Sequence, residues 1–389
     1  MASSWRVDPI YVQSILQQLV RLDSVNPSLV AGGAGEAAVA AYVAAQLAQL
    51  GLSVQLNEVA PGRPNVVGRL AGRGNGRSLL LNAHMDTVGV AGMIDPFAGI
   101  IRDGRLYGRG AYDMKGGLAA MLGAAHALTT AGASLQGDLL ITAVADEEYA
   151  SLGTEHLVQQ VRADAAIVTE PTDLALCRAH RGFIWFRVET FGRAAHGSRF
   201  REGVDANMHM GRFLAELDKL EQALRQRPPY PLVGTPSLHA ALLSGGSALS
   251  VYAAHCTLQI ERRTIPGETI AGAAAELQAI VEQLAAADPT FQARVTPFFA
   301  RSPFEIAASS PLVAMVEDVM AAHLRQPPPH MGQTFWTDAA LLADAGMETV
   351  IIGPRGAGLH SDEEWVEISS VVDLAQILTN TALRYCGAA

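Results

Sequence analysis

Short apolar runs that end abruptly in a histidine or an acid, each followed by a helix-forming stretch, set the strongest limit on how this chain can fold. Residues 78–83 run into His84, residues 139–145 into Asp146-Glu147-Glu148, and residues 165–168 into Thr169-Glu170. Runs of this length, rich in leucine and β-branched residues, read as buried strands. Alanine-rich segments at residues 36–50 and 118–130, and a further segment at 153–161, read as helices. Such alternation predicts an α/β fold, a mixed sheet flanked by helices. Ligands of such sheets collect beyond the carboxyl ends of the strands. His84, Glu147 and Glu170 all stand where a strand has just ended, so one crevice can gather them.

The remainder of the chain fits this frame with one interruption. A first helix is expected over residues 9–22, ended by Asn26-Pro27, and strands over 53–59 and 65–70. The glycine-rich stretch Gly72-Arg73-Gly74-Asn75-Gly76 precedes a strand instead of opening a helix, so it reads as a hairpin turn and not a phosphate loop. From residue 180 the pattern becomes strand (183–190), helix (206–225), two strands (238–244 and 255–261), helix (270–286) and strand (291–298), a compact α+β unit. The expected organisation is therefore a catalytic domain in two parts, residues 1–179 and 299–389, with residues 180–298 inserted as a second domain. Helices at 311–324 and 337–345 and a strand at 349–352 complete the first domain.

Composition narrows the function. A net charge of −10 disfavours a nucleic-acid binder, which needs a basic surface. No apolar run is long enough to span a bilayer, and Met1–Asp8 lacks the basic-then-apolar pattern of a signal peptide. Cys177, Cys256 and Cys386 are scattered and odd in number, which suits core thiols of a reducing compartment. A soluble cytoplasmic protein is expected.

The polar residues at the sheet edge are His84, Asp86, Asp113, Glu147, Glu148 and Glu170, joined by His360 in a glycine-rich loop. Each alone reads as a surface or capping residue. Together, two histidines and several carboxylates without cysteine form an N/O ligand set suited to zinc, cobalt or manganese. On a strand, His84 and Asp86 share a face, so the Asp86 carboxylate can hold the far imidazole nitrogen. Two divalent ions at a separation of about 3.5–4 Å need a bridging group, for which Asp113 at a helix start is the natural candidate. No Gly-x-Ser-x-Gly elbow competes. His196 and Ser198 are two residues apart, a spacing at which a nucleophile and its base seldom meet.

These residues stand in four ordered motifs: Asn82-Ala83-His84-Met85-Asp86, residues 108–117 around Asp113, Asp146-Glu147-Glu148, and Thr169-Glu170-Pro171. With the late histidine they resemble the M20 family of metallopeptidases and amidohydrolases, which includes acetylornithine deacetylase, succinyl-diaminopimelate desuccinylase, aminoacylase-1 and glutamate carboxypeptidase. The resemblance implies two divalent metal ions, zinc first, with cobalt or manganese as alternatives. It implies His84, Asp113 and Glu170 as ligands of one ion, and Asp113, Glu148 and His360 as ligands of the other. It implies Glu147 as general acid/base, Asp86 as its supporting aspartate, and a cis peptide bond after Asp113.

For the insertion, the resemblance implies a lid and dimerisation domain, hence a homodimer. His196, in Ala195-His196-Gly197-Ser198, is implied to polarise the scissile carbonyl, from its own subunit or a partner. Arg263, in Glu261–Gly267, and the loop at Gly356 and Gly358 are implied to bind a substrate carboxylate. The match loosens at Ser250 and Ala253, where asparagine and proline are usual. The expected reaction is deacylation of an N-acyl amino acid. Dipeptidase or carboxypeptidase action is the alternative within the family, and a non-catalytic binding relative is the alternative outside it.

Overall fold

The run Leu79–His84 has no exposed residue and occupies the middle of the main sheet. The protein is described here from a computed structural model covering residues 5–90 and 92–388, so residues 1–4 of the leader region weighed above lie outside the described residues. The described residues divide into two compact units: one of residues up to 178 with 306–331 and from 337 onward, and one of residues 179–305 with 332–336.

In the first unit the strands Ser53–Ala60, Arg63–Leu70, Leu139–Val144, Leu79–His84, Ala165–Val168 and Glu348–Ile351 follow one another across the sheet. Leu79–His84 is parallel to both of its neighbours, and Ala165–Val168 is parallel to Glu348–Ile351. Arg63–Leu70 runs antiparallel to Leu139–Val144, which makes the sheet mixed. Three adjacent parallel strands therefore end at the same edge, and the residues just past those ends are His84 itself, Glu147-Glu148 and Glu170. Helix Gly116–Thr130 is buried along almost its whole length. Its glycines allow that: a Cβ on Gly117 would stand 2.3 Å from the carbonyl oxygen of Thr169. The helix can thus begin against the strand end that carries Glu170.

The Gly72–Gly76 segment is not a hairpin turn. Leu139–Val144 lies between the strands that this segment connects. The glycines instead press on a second turn: a Cβ on Gly72 or Gly76 would come within 2.4 Å of the Gly137 backbone, and Arg73 and Gly74 donate to the carbonyls of Leu135 and Gln136.

Two features go beyond the helices and strands expected above. The helix Ile368–Cys386 packs its buried face, with Leu374, Ile377 and Leu378, into the core. A small sheet joins Ile100–Arg102, Arg105–Tyr107, Trp365–Glu367 and Gly356–Ala357. Because Gly356–Ala357 and Trp365–Glu367 pair antiparallel, residues 358–364 form the tip of a hairpin, and His360 sits on that tip.

The second unit is a four-stranded antiparallel sheet in the order Ser237–Gly245, His255–Thr264, Gly182–Phe191, Gln292–Arg301. Helices Ala206–Arg225 and Ile270–Ala287 supply the rest of its core. Gly182–Phe191 alternates buried and less buried positions, so Ile184, Phe186 and Val188 face the helices' Phe213, Leu217 and Leu277. Burial of each such side chain contributes roughly 1.5–3 kcal/mol. Residues 332–336 belong to this unit as well. The Gln333 carbonyl accepts from the Arg181 backbone N–H at 3.2 Å, and Trp336 meets Phe183 edge-on. Against the expected insertion of residues 180–298, the unit extends to 305 and takes this later segment. No helix of the described residues is long and apolar enough to cross a membrane.

Candidate metal centre

Asp113 lies in the tight turn Ala111–Lys115 immediately before helix Gly116–Thr130, and its peptide bond to Met114 is cis. Its two carboxylate oxygens face different histidines: Oδ1 is 3.1 Å from His84 Nε2 and Oδ2 is 3.2 Å from His360 Nε2. Around His84 Nε2 stand Glu170 Oε1 at 3.6 Å and Glu147 Oε2 at 4.0 Å. Beside His360 Nε2 stands Glu148 Oε2 at 3.1 Å. Ligand atoms of His84, Asp113 and Glu148 all lie within 4.8 Å of one another, and the same holds for His84, Glu147 and Glu170. The structure thus gathers all six residues, His84, Asp113, Glu147, Glu148, Glu170 and His360, into one cluster.

Asp86 is in the cluster's wall, but its geometry differs from the expectation. His84 Nδ1 meets the backbone carbonyl of Asp86 at 2.9 Å, whereas the Asp86 carboxylate stays 3.7 Å away. The strand ends at His84, so the two side chains do not share a strand face. The carboxylate instead accepts the backbone N–H groups of Glu147 and Glu148, each at 3.1 Å, and the Asn26 amide at 2.8 Å. The carbonyl orients the His84 ring, and the carboxylate orients the Glu147-Glu148 turn. Asp146, with φ +69°, leads into that turn in the left-handed region, which is unfavourable for a residue with a side chain.

A buried charge network holds this strained turn. The Arg63 guanidinium donates to both oxygens of Glu36, at 2.9 and 2.5 Å, and to Asp146 Oδ1 at 2.7 Å. Asn26 bridges Asp146 and Asp86. Arg63, Glu36, Asn26, Asp146 and Asp86 are all buried. Asp338 is a further buried acid, bonded to Thr154 at 2.6 Å, whose charge acts on Glu147 and Glu170. The sequence reading names none of Asn26, Arg63, Glu36 and Asp338 as site residues. Only Asp146, adjacent to Glu147, carried a local signal.

The electrostatics test whether cations fit. Burial would raise the Asp113 carboxyl, but His360 and His84 on its two oxygens hold it below the ordinary carboxylate range. Burial and the neighbouring Asp113 push Glu148 up to about 7. Burial, then Glu170, drives Glu147 well above the ordinary range, and burial, then Asp113, does the same to Glu170. His360 rises to about 10 through its bonds to Asp113 and Glu148. The cluster therefore holds more carboxylate charge than two imidazoles balance. Buried carboxylates of this kind require cations or protons. With nitrogen and oxygen donors and no cysteine, the set fits divalent ions such as zinc, cobalt or manganese.

The other expected site residues are placed less directly. In the second unit, His196 is exposed and its Nδ1 lies 2.8 Å from Ser198 Oγ, so these two do meet, across a tight turn closed by Arg199 N–H on the His196 carbonyl. Arg263 is half-buried, bonds to Glu261 on its own strand, and lies over the Phe183 ring. In the first unit, the Gly356 N–H already donates to Asp173 at 3.3 Å. Cβ atoms at Gly356 and Gly358 would strike the Trp365 and Glu363 carbonyl oxygens, at 2.4 and 1.8 Å, so both glycines serve close backbone packing.

Comparison with known proteins names the class to which this fold and this cluster belong. Residues 80–384 match the profile of Peptidase family M20/M25/M40, and the chain belongs to that family. It is 30% identical over 362 residues to acetylornithine deacetylase of Myxococcus xanthus, covering 89% of this chain and 91% of that protein. It is also 30% identical over 390 residues to N-formyl-4-amino-5-aminomethyl-2-methylpyrimidine deformylase of Bacillus subtilis (strain 168), covering 90% and 89%. The fold is that of the Bacillus subtilis YXEP protein, described as a dinuclear metal binding peptidase from the M20 family. The TM-score is 0.75 at 14% identity, covering 97% of this chain and 98% of that one.

Proposed function

We propose that this M20-family hydrolase removes the acyl group from an N-acyl amino acid with the help of two divalent metal ions, zinc first. The observation that carries the reading is Asp113, whose two oxygens each face a separate histidine within a ring of carboxylates. His84, Asp113 and Glu170 would hold one ion, and Asp113, Glu148 and His360 the other. Ions bound there supply Lewis acidity, which lowers the pKa of water and polarises an amide carbonyl.

The chain's own groups do the rest. Glu147 is nearly buried, stands at the sheet edge and has a carboxyl driven upward by burial and Glu170. That suits a group that must both take and give a proton. Its carboxylate removes one proton from the attacking water as the new C–O bond forms. The same proton then goes to the amide nitrogen as the C–N bond breaks, leaving a free carboxylic acid and an amine. Asp86 keeps the Glu147 backbone in place during this exchange. For His196 we propose donation to the carbonyl oxygen, and for Arg263, with Gly356 and Gly358, contact with a substrate carboxylate.

Substrate choice rests on the relatives. The Myxococcus protein favours an N-acyl amino acid. The Bacillus deformylase, equally similar, points to an acyl group on another nitrogen. The peptidase of the same fold keeps dipeptide cleavage as the second reading. Hydrolysis of a panel of N-acetyl and N-formyl amino acids, an N-formyl aminomethylpyrimidine and dipeptides, with metal analysis of the same preparation, tests the proposal. Preference for N-acyl amino acids supports it, and preference for either other class replaces it. The Ser237–Gly245 edge strand exposes Leu242 and Leu243, which supports a homodimer formed through the second unit, checked by light scattering. The three cysteines are free and buried, which supports a cytoplasmic, reducing setting.

A further inference from the structure

We propose that Glu364 is a positioning residue that sets His360 against Asp113 and thereby forms the second ion's site. The inference rests on the two-metal reading above. Glu364 is buried, and each of its oxygens is used twice. Oε1 accepts the backbone N–H groups of Tyr112 at 2.9 Å and Asp113 at 3.0 Å. Oε2 accepts the Gly110 N–H at 3.0 Å and the Arg109 guanidinium at 2.7 Å. Three N–H groups of one turn converge on a single anion, the arrangement by which backbone nests bind charge. Here the anion is the chain's own carboxylate, and it fixes the turn that presents Asp113.

The same carboxylate also reaches the other side of the site. Arg109, itself buried, donates to the carbonyl of Ser361 at 2.8 Å and to that of Gly89 at 3.1 Å. Ser361 follows His360, whose φ of +57° lies in the left-handed region. The Gly108 N–H closes the connection on the Glu364 carbonyl at 3.1 Å. Glu364 and Arg109 therefore tie the Asp113 turn to the hairpin tip carrying His360, which is otherwise exposed at its side chain (53%). His84 and Glu170 stand at strand ends and do not depend on this connection. Asp113 belongs to both proposed ligand sets, so the clamp should govern the ion of Glu148 and His360 most, and reach the ion of His84 and Glu170 only through Asp113.

Zinc binding to chelator-stripped full-length protein, measured by equilibrium dialysis beside kcat and KM, tests this. The wild type should take up two ions. Glu364→Gln removes a charge and turns one oxygen into a donor facing N–H groups. It should weaken the ion of Glu148 and His360 by about 10–100-fold, weaken the other ion by a clearly smaller factor, and lower kcat with KM changed less than about threefold. His360→Ala marks the one-ion pattern. Should Glu364→Gln fail to fold, Glu364→Asp retains the charge with a shorter reach and should weaken the same ion by a smaller factor. Two ions at wild-type affinity in both variants, or equal weakening of both ions, overturns the inference alone. Fewer than two ions in the wild type overturns the metal reading, and this inference with it.

Discussion

Replacing Arg63 by methionine removes the cation that pairs with Glu36 and Asp146 in a buried network of acids and should cost more than any substitution on the surface. Arg63 makes a two-point pair with Glu36 and a third bond with Asp146, at 2.5 to 2.9 Å, and both acids have no exposed side-chain surface. Removing one partner of a buried ion pair costs about 3–5 kcal/mol, because the remaining charge is left without compensation. Here one cation serves two carboxylates, which places Arg63→Met toward the upper part of that range. At about 2–4 °C per kcal/mol for a domain of this scale, the thermal midpoint should fall by about 8–20 °C. Catalysis should fall too, since Asn26 links Asp146 to the Asp86 carboxylate that holds Glu147. Calorimetry and urea unfolding measure the loss. The double variant Arg63→Met, Glu36→Gln should recover at least about 1 kcal/mol relative to the sum of the single changes. A single-variant loss below about 1 kcal/mol, or strict additivity, would refute the reasoning.

Three further outcomes follow from the same geometry. Glu147→Gln should retain wild-type metal content and lose kcat by several orders of magnitude; substantial turnover in the metal-loaded variant would remove Glu147 from the proton-transfer role. His196→Ala should lower kcat at unchanged metal content, and mixing it with a Glu148→Ala variant should restore part of the activity if subunits share sites; no recovery under proven subunit exchange argues for action within one chain. His209 is buried beside Phe291, and burial, then Arg212, holds its imidazole below the ordinary pKa. Below about pH 6.5 the unfolded chain therefore takes up a proton that the folded chain refuses, and stability declines as pH falls. His209→Gln should flatten that decline between about pH 7 and 5 in thermal melts, and parallel curves for the two proteins would reject the assignment.

The residues of the candidate site were legible because they stand at places that sequence periodicity marks. Apolar runs end at His84, before Glu147-Glu148 and before Glu170, and parallel pairing brings those ends together. The residues that hold them in place were not legible. Glu364 lies 251 positions from Asp113 and Arg63 lies 83 from Asp146; no local pattern announces that a charged side chain will be buried against a distant one. Turn chemistry misled for a related reason: Gly72–Gly76 has the composition of a hairpin, but local residues carry no information on the strand that enters between. Asp86 shows the same limit at short range, because one residue of strand length decided whether its carboxylate or its carbonyl faced His84.

The central claim is that this carboxylate-histidine cluster is a two-metal hydrolytic site with Glu147 as its proton carrier. Adding zinc back to chelator-stripped protein, while following both bound metal and hydrolysis of an N-acetyl amino acid, tests it most directly. Activity should return as the second equivalent of zinc is taken up, while Glu147→Gln takes up the same two equivalents and stays inactive. Full activity in the stripped protein, or activity in the zinc-loaded Glu147→Gln variant, would contradict the account.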